Sequence, residues 1–236
     1  MTGTGIVARF DDLVGKRVLL TSAGSFMGPT LAAAFGGAGC DVVADPRDLA
    51  DPAAPDSVVA EAAAGGPIDV VLANLGVPAA AATAVDQDDE SWLAMFDHLI
   101  HPLMRLVRAS LPAMIERGHG KIVVLGSSSA LKPIRRSTPY ATARGAQLTY
   151  VRYVGVEVAA HNVQVNAIAQ NYIANPTYYP PELVATERFR KSLQRNVPAD
   201  RLGRPEDTAQ LALFLASGAS DFMSGVVVPL DGGWSV

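Results

Sequence analysis

The sequence predicts an α/β fold, a single doubly wound parallel sheet with helices on both faces. Three observations predict it. Short apolar runs alternate with helix-period stretches from one end of the chain to the other. Those runs lack the in–out alternation of a sheet with one wet face, so they read as strands buried on both sides. No repeat, linker or composition break divides the 236 residues, and residues 1–236 are expected to form a single domain.

The elements follow in order. Arg17–Thr21 reads as the first strand and Gly28–Gly39 as a helix of small residues. Asp41–Ala44 is a strand, Pro55–Ala64 a helix and Ile68–Ala73 another buried strand. Gly76–Val85, rich in alanine, reads as a loop. Glu90–Arg117 is expected to be one long amphipathic helix, with Trp92, Phe96, Leu99, Leu103 and Leu106 three to four apart. Pro102 and Pro112 are expected to bend it. Lys121–Gly126 is a strand, and Thr138–Ala160 a helix with Pro139 in its first turn. Val163–Ala169, Pro205–Leu215 and Gly225–Leu230 complete the series as strand, helix and strand.

Composition narrows the class. Hydrophobic residues make up 49% and charged residues 18%, which suits a folded globular chain and not a disordered one. The longest stretch without a polar residue, Leu31–Cys40, is too short to cross a bilayer, so no membrane role is expected. Met1–Asp12 carries charges and lacks the apolar stretch of a secretion signal; a cytoplasmic protein is expected. A net charge of -4 with dispersed Lys and Arg leaves no nucleic-acid footprint. Cys40 stands alone, which excludes an intrachain disulfide and a multi-cysteine metal site. His98 and His101 show no third ligand nearby, so no metal is expected.

In such sheets ligands bind at the carboxyl ends of the strands, here after Thr21, Ala73, Gly126 and Ala169. These four segments resemble the short-chain dehydrogenase/reductase superfamily over roughly Gly15–Trp234. They carry Thr21, the Asn74-Leu75-Gly76 turn, serines ending the Gly126 strand, and Tyr140 with Ser127 upstream of it. The terminal Phe214-Leu-Ala-Ser-Gly and Asp231-Gly-Gly-Trp234 are similar too. The resemblance implies a Rossmann-like sheet.

Departures from that pattern are more telling. Where the reductases read Thr-Gly-x-x-x-Gly-x-Gly, this chain reads Thr21-Ser22-Ala23-Gly24-Ser25-Phe26-Met27-Gly28. Phe26 would occupy space that a dinucleotide needs. Only residues 46–67 separate Asp45 from Ile68, room for one helix, so the adenine side looks truncated. Without a cofactor, Asp45 becomes an ordinary strand-end residue. Tyr140-Ala-Thr-Ala-Arg144 stands in place of Tyr-x-x-x-Lys, with both side chains on one helical face. His98 stands where the superfamily usually has a catalytic Asn.

Thr-x4-Phe-x-Gly with Ser-x12-Tyr-x3-Arg resembles the motif pair of the halohydrin dehalogenases, which are cofactor-independent lyases. The resemblance implies that a vicinal haloalcohol loses halide and a proton and closes to an epoxide. In reverse, azide, cyanide, nitrite or halide opens the epoxide. It implies Tyr140 as base, Ser127 orienting the substrate oxygen, and Arg144 lowering the pKa of Tyr140. An ordinary tyrosine titrates near ~10, so working near neutrality asks for about 4 kcal/mol. A cation ~4 Å away in an effective dielectric of ~20 supplies about that much. Ser127 is not a nucleophile, since no His–carboxylate pair is placed to activate it.

A halide needs backbone N–H groups and aromatic edges. Gln170, Asn171, Tyr172 and Ile173, with Tyr179 and Phe26, resemble the family's halide-binding residues. Phe26, Tyr172 and Tyr179 are the expected walls, and the backbone of Asn171–Ile173 the expected donors. Ser128 and Ser129 are expected to line the pocket. Leu75 stands where some members carry an acid, which leaves no proton route there. Trp234 is placed to pack at a subunit interface, and the family resemblance together with apolar surplus on two helices implies a homotetramer. Two other readings compete: an NAD(P)-dependent short-chain oxidoreductase with an atypical nucleotide loop, and a non-catalytic relative, which would not need Ser127, Tyr140 and Arg144 together.

Overall fold

The structure, a computed structural model, describes residues 10–77, 81–176 and 178–236. Six strands form one parallel sheet: β1 (Arg17–Leu20), β2 (Asp41–Ala44), β3 (Val70–Ala73), β4 (Gly120–Ser127), β5 (Val163–Gln170) and β6 (Val227–Leu230). Their order is β2-β1-β3-β4-β5-β6, and every neighbouring pair is parallel. β3, β4 and β5 are buried along their whole length, which explains their unbroken Val, Ile, Leu and Ala character.

One face of the sheet packs on α2 (Ala54–Ala63), α3 (Asp89–Leu99), α4 (His101–Arg117) and α5 (Thr138–Val158). Leu99, Leu103, Leu106 and Val151 fill that layer. The other face packs on α1 (Gly28–Gly37) and α8 (Pro205–Ala216) through Leu31, Phe35, Leu213 and Leu215. Two further helices, α6 (Pro181–Val184) and α7 (Glu187–Asn196), lie in the long segment after β5. Hydropathy periodicity predicts no element there. Thr186 caps α7 by accepting from the Phe189 N–H, and Phe189 and Leu193 pack on Trp234.

The single helix expected over Glu90–Arg117 is two. It breaks at Ile100, because Pro102 has no N–H to continue the ladder and its ring crowds the preceding turn. Pro112 does not end α4. The truncation holds: only α2 joins β2 to β3, and β2 is the sheet edge. In the full dinucleotide order a further strand lies outside that position. Of the Gly76–Val85 loop and Met1–Asp12, residues 78–80 and 1–9 lie outside the described residues. No helix among the described residues is long and apolar enough to cross a membrane.

Candidate active site

The carboxyl ends of β1, β3, β4 and β5 converge where topology places a ligand crevice, and a cavity of about 240 Å³ opens there. Ser127, Tyr140, Phe26, Gln170, Asn171, Tyr172, Ile173 and Tyr179 all line it. Arg144 does not; it lies fully buried underneath.

The turn after β1 is held by Asn74. Its side-chain N–H group donates to the carbonyls of Ser22 and Ser25 at 3.1 and 3.0 Å, and its oxygen accepts from the Met27 N–H at 3.4 Å. Ser22 and Phe26 occupy the two lost glycine positions, and both keep a left-handed backbone, with φ of 46° and 54°. Two non-glycine residues thus hold the left-handed backbone that glycine adopts freely, at a cost of roughly 1–2 kcal/mol per residue. What changed is the side chain. The Phe26 ring stands edge-on to Tyr178 at 5.6 Å, 5.9 Å from the Arg144 guanidinium carbon, and close over Gly76. Gly28 keeps its role, since a Cβ there would come within 2.3 Å of the Ala23 carbonyl oxygen.

Ser127 ends β4. Its hydroxyl lies 2.9 Å from that of Ser129 and accepts from the Ser129 N–H at 3.2 Å. Ser129 lines the cavity as expected, whereas Ser128 is turned inward and donates to the Ala169 carbonyl at 2.6 Å. Tyr140 and Arg144 sit one turn apart on α5, with the guanidinium carbon 5.2 Å from the phenol ring centroid. Arg144 Nη1 donates to the Leu125 carbonyl and to Gln147 Oε1, both at 2.9 Å. Gln147 in turn donates to the Leu99 carbonyl at 2.8 Å. The remaining nitrogens, Nε and Nη2, have no hydrogen-bond partner among the described residues. Burial alone would lower the Arg144 pKa, but the phenols of Tyr140 and Tyr178 outweigh it and hold the cation firmly charged.

The wall after β5 corrects one expectation. The Asn171 N–H donates to the Leu230 carbonyl, and the Tyr172 N–H donates to Asn171 Oδ1 and the Tyr179 hydroxyl. Two of the three anticipated halide donors are thus spent, Asn171 on the end of β6 and Tyr172 on a short turn where its φ is 52°; of the three, only the Ile173 N–H has no protein acceptor among the described residues. The aromatic walls are in place: Tyr172 and Tyr179 stack at 5.8 Å, and burial pushes the Tyr179 phenol well above its ordinary value. Gln170 is anchored by the Thr208 hydroxyl at 3.0 Å. Trp234 is buried against Tyr172, with ring centroids 6.1 Å apart.

Two residues escaped the sequence reading. Gln147 was signalled, at i+3 from Arg144 and i+7 from Tyr140 on one helical face. Tyr178 was not: a loop residue shows no periodicity. His98 and His101 face Asp48 and Asp97 at 3.6 and 2.9 Å, on the helix surface.

A nicotinamide dinucleotide, which the fold family implies, does not fit these residues. Phe26 puts a ring, packed on Gly76 and Tyr178, where the reductase pattern has a glycine, and Arg144 is fully buried beside the Tyr140 ring. Asp45, at the ribose-acid position, is clasped by Arg47 at 2.5–3.1 Å. Burial would raise its carboxyl, but those hydrogen bonds win and hold it below the ordinary value.

Comparison with known proteins gives two kinds of relative. A family model described as enoyl-(acyl carrier protein) reductase matches residues 3–235. The chain is 34% identical to galactitol 2-dehydrogenase of Rhizobium johnstonii, over 84% of this chain and 77% of that one. It is 31% identical to 5-keto-D-gluconate 5-reductase of Escherichia coli K12, over 95% and 97% of the two chains. Among solved structures, one described as a dehalogenation enzyme matches with a TM-score of 0.87 and 28% identity, covering 94% of this chain and 99% of that one. A gluconate 5-dehydrogenase from Burkholderia cenocepacia in complex with NADP and tartrate matches at 0.88 and 27%, over 96% and 97%.

Proposed function

We propose that this chain, which belongs to the short-chain dehydrogenase/reductase superfamily, is a nucleotide-independent halohydrin dehalogenase, a carbon–halide lyase. The observation that carries the reading is the Arg144 guanidinium: fully buried, without a carboxylate partner among the described residues, and set between Tyr140 and Phe26. A buried cation needs an anion, and the phenol of Tyr140, one helical turn from Arg144 and beside Ser127 in the cavity wall, is placed to provide one.

Tyr140 takes the hydroxyl proton of a vicinal haloalcohol, and Arg144 stabilises the negative charge on the phenol oxygen. At ~4 Å and an effective dielectric of ~20 that stabilisation is about 4 kcal/mol. Ser127, held by Ser129, donates to the substrate oxygen and fixes its lone pair toward the neighbouring carbon. The C–O bond of the epoxide forms as the C–halogen bond breaks, and the halide leaves with the bonding pair toward Phe26, Tyr172 and Tyr179. The Ile173 N–H and the positive ring edges receive it, with Gln170 and Asn171 shaping that end. In reverse the same pocket presents azide, cyanide, nitrite or halide to an epoxide. Action as a cytoplasmic homotetramer belongs to the same proposal, with Leu93, Tyr153 and Val156 exposed on α3 and α5 as the surface it would bury.

The second reading, an NAD(P)-dependent oxidoreductase with an atypical nucleotide loop, is the one the sequence relatives favour. Those compared above are named as a sugar-alcohol dehydrogenase and a keto-sugar-acid reductase. Incubation with a panel of vicinal chloro- and bromo-alcohols separates the two. Halide release without nucleotide supports the dehalogenase; no release across the panel, with micromolar NADPH binding by calorimetry, supports the reductase.

A further inference from the structure

Among the described residues two basic side chains are buried, and they are held in opposite ways. Lys121 Nζ lies 2.6 Å from Asp221 Oδ1, which cancels its charge. Arg144 meets no carboxylate; its titratable neighbours are the phenols of Tyr140, one turn back on α5, and of Tyr178, from the segment after β5. Its charge is left to act on the cavity wall.

What holds Arg144 is neutral. Its Nη1 donates to the Leu125 carbonyl and to Gln147 Oε1, both at 2.9 Å, and Gln147 is itself fully buried. Gln147 Nε2 donates in turn to the Leu99 carbonyl at 2.8 Å. Leu99 is the last residue of α3, so its carbonyl has no partner within that helix. The position therefore asks for an acceptor and a donor on one side chain. An ionised carboxylate has nothing to donate to Leu99, and a lysine has nothing to accept from Arg144.

We infer that Gln147 is a positioning residue for the proposed dehalogenation, and the inference rests on that reading: its amide fixes the Arg144 guanidinium beside Tyr140 while leaving the positive charge uncancelled. Gln147 does not line the cavity, so it acts through Arg144. The charge works on the Tyr140 oxygen only if no closer anion takes it up, and a displaced guanidinium loses part of its effect with distance.

The test is Gln147→Glu, which keeps the side-chain length and the acceptor for Arg144 but adds a charge. The carboxylate competes with the Tyr140 oxygen for Arg144, so the rising limb of the pH–rate profile should move up by about one unit or more. Turnover of a vicinal bromo-alcohol below that limb should fall at least about tenfold. Near-ultraviolet absorbance, with Tyr140→Phe as the blank, should show the Tyr140 phenolate forming at correspondingly higher pH. Gln147→Met removes both hydrogen bonds without adding charge; kcat should fall about ten- to 10²-fold with KM unchanged. A Gln147→Glu protein with the pH profile and absorbance titration of the wild type would overturn the inference. So would losses in both variants that follow the folded fraction in a thermal melt, with no movement of the pH profile, since the amide then serves packing only. The titration needs no turnover: if the wild-type protein releases no halide the dehalogenase reading falls, whereas an unmoved titration strikes the role of Gln147 itself.

Discussion

Replacing Arg144 tests whether its charge serves Tyr140. The guanidinium carbon lies 5.2 Å from the Tyr140 ring centroid, and two of its nitrogens have no acceptor among the described residues. A unit charge ~4 Å from the developing phenolate, at an effective dielectric of ~20, contributes about 4 kcal/mol. Deleting it should slow turnover on the order of 10³-fold. Arg144→Ala also strips the Leu125 carbonyl and Gln147 of a buried donor, a stability cost of about 1–3 kcal/mol for each orphaned group. Arg144→Lys keeps a charge but not the planar fork, and should fall between Ala and wild type. In the Lys variant the ammonium sits farther from the phenol or is better solvated, so deprotonation is harder and the rising limb of the pH–rate profile should move to alkaline pH. The assay is halide release against pH, with a thermal melt to set a temperature where every variant is folded. Near-native turnover of Arg144→Ala with an unchanged pH profile would mean that Arg144 does not serve the Tyr140 phenol, even in an active dehalogenase.

Three further outcomes are expected. Gly28→Ala should destabilise the fold by about 1–3 kcal/mol in urea unfolding, because its Cβ would meet the Ala23 carbonyl and something must shift. Burial, with Lys16, Arg117 and Lys121 adding to it and Asp69 opposing, holds the His119 pKa below its ordinary value. The unfolded chain then binds that proton more readily, so His119 costs stability as pH falls below about 6.5, and His119→Gln should flatten stability between about pH 6.5 and 5. Light scattering should report a tetramer; a lone 24.6 kDa chain would contradict that assembly.

What the sequence made legible is what periodicity and spacing encode. β4 and β5 are visible as runs because both their faces are covered, and the one-helix connection after Asp45 follows from chain length alone. Ser127 and Tyr140 reach one cavity because strand-end and helical positions fix where side chains go. Loops carry no such code. The turn that consumes the Tyr172 N–H and the Tyr178–Val77 hydrogen bond arises from contacts distant in sequence or from a left-handed residue that is not glycine. α7 was missed because its apolar side is only Phe189 and Leu193, covered by Trp234 from the far end of the chain.

Nucleotide-free protein mixed with a vicinal bromo-alcohol, with bromide and acid recorded together, decides whether this reductase-like fold works through Ser127, Tyr140 and Arg144 with no dinucleotide. Bromide and protons should appear one for one, unaffected by added NADPH, and a folded Tyr140→Phe should lose at least about 10² in rate. Turnover that appears only when NAD(P)H is supplied, or bromide release that survives in Tyr140→Phe, would contradict the proposal.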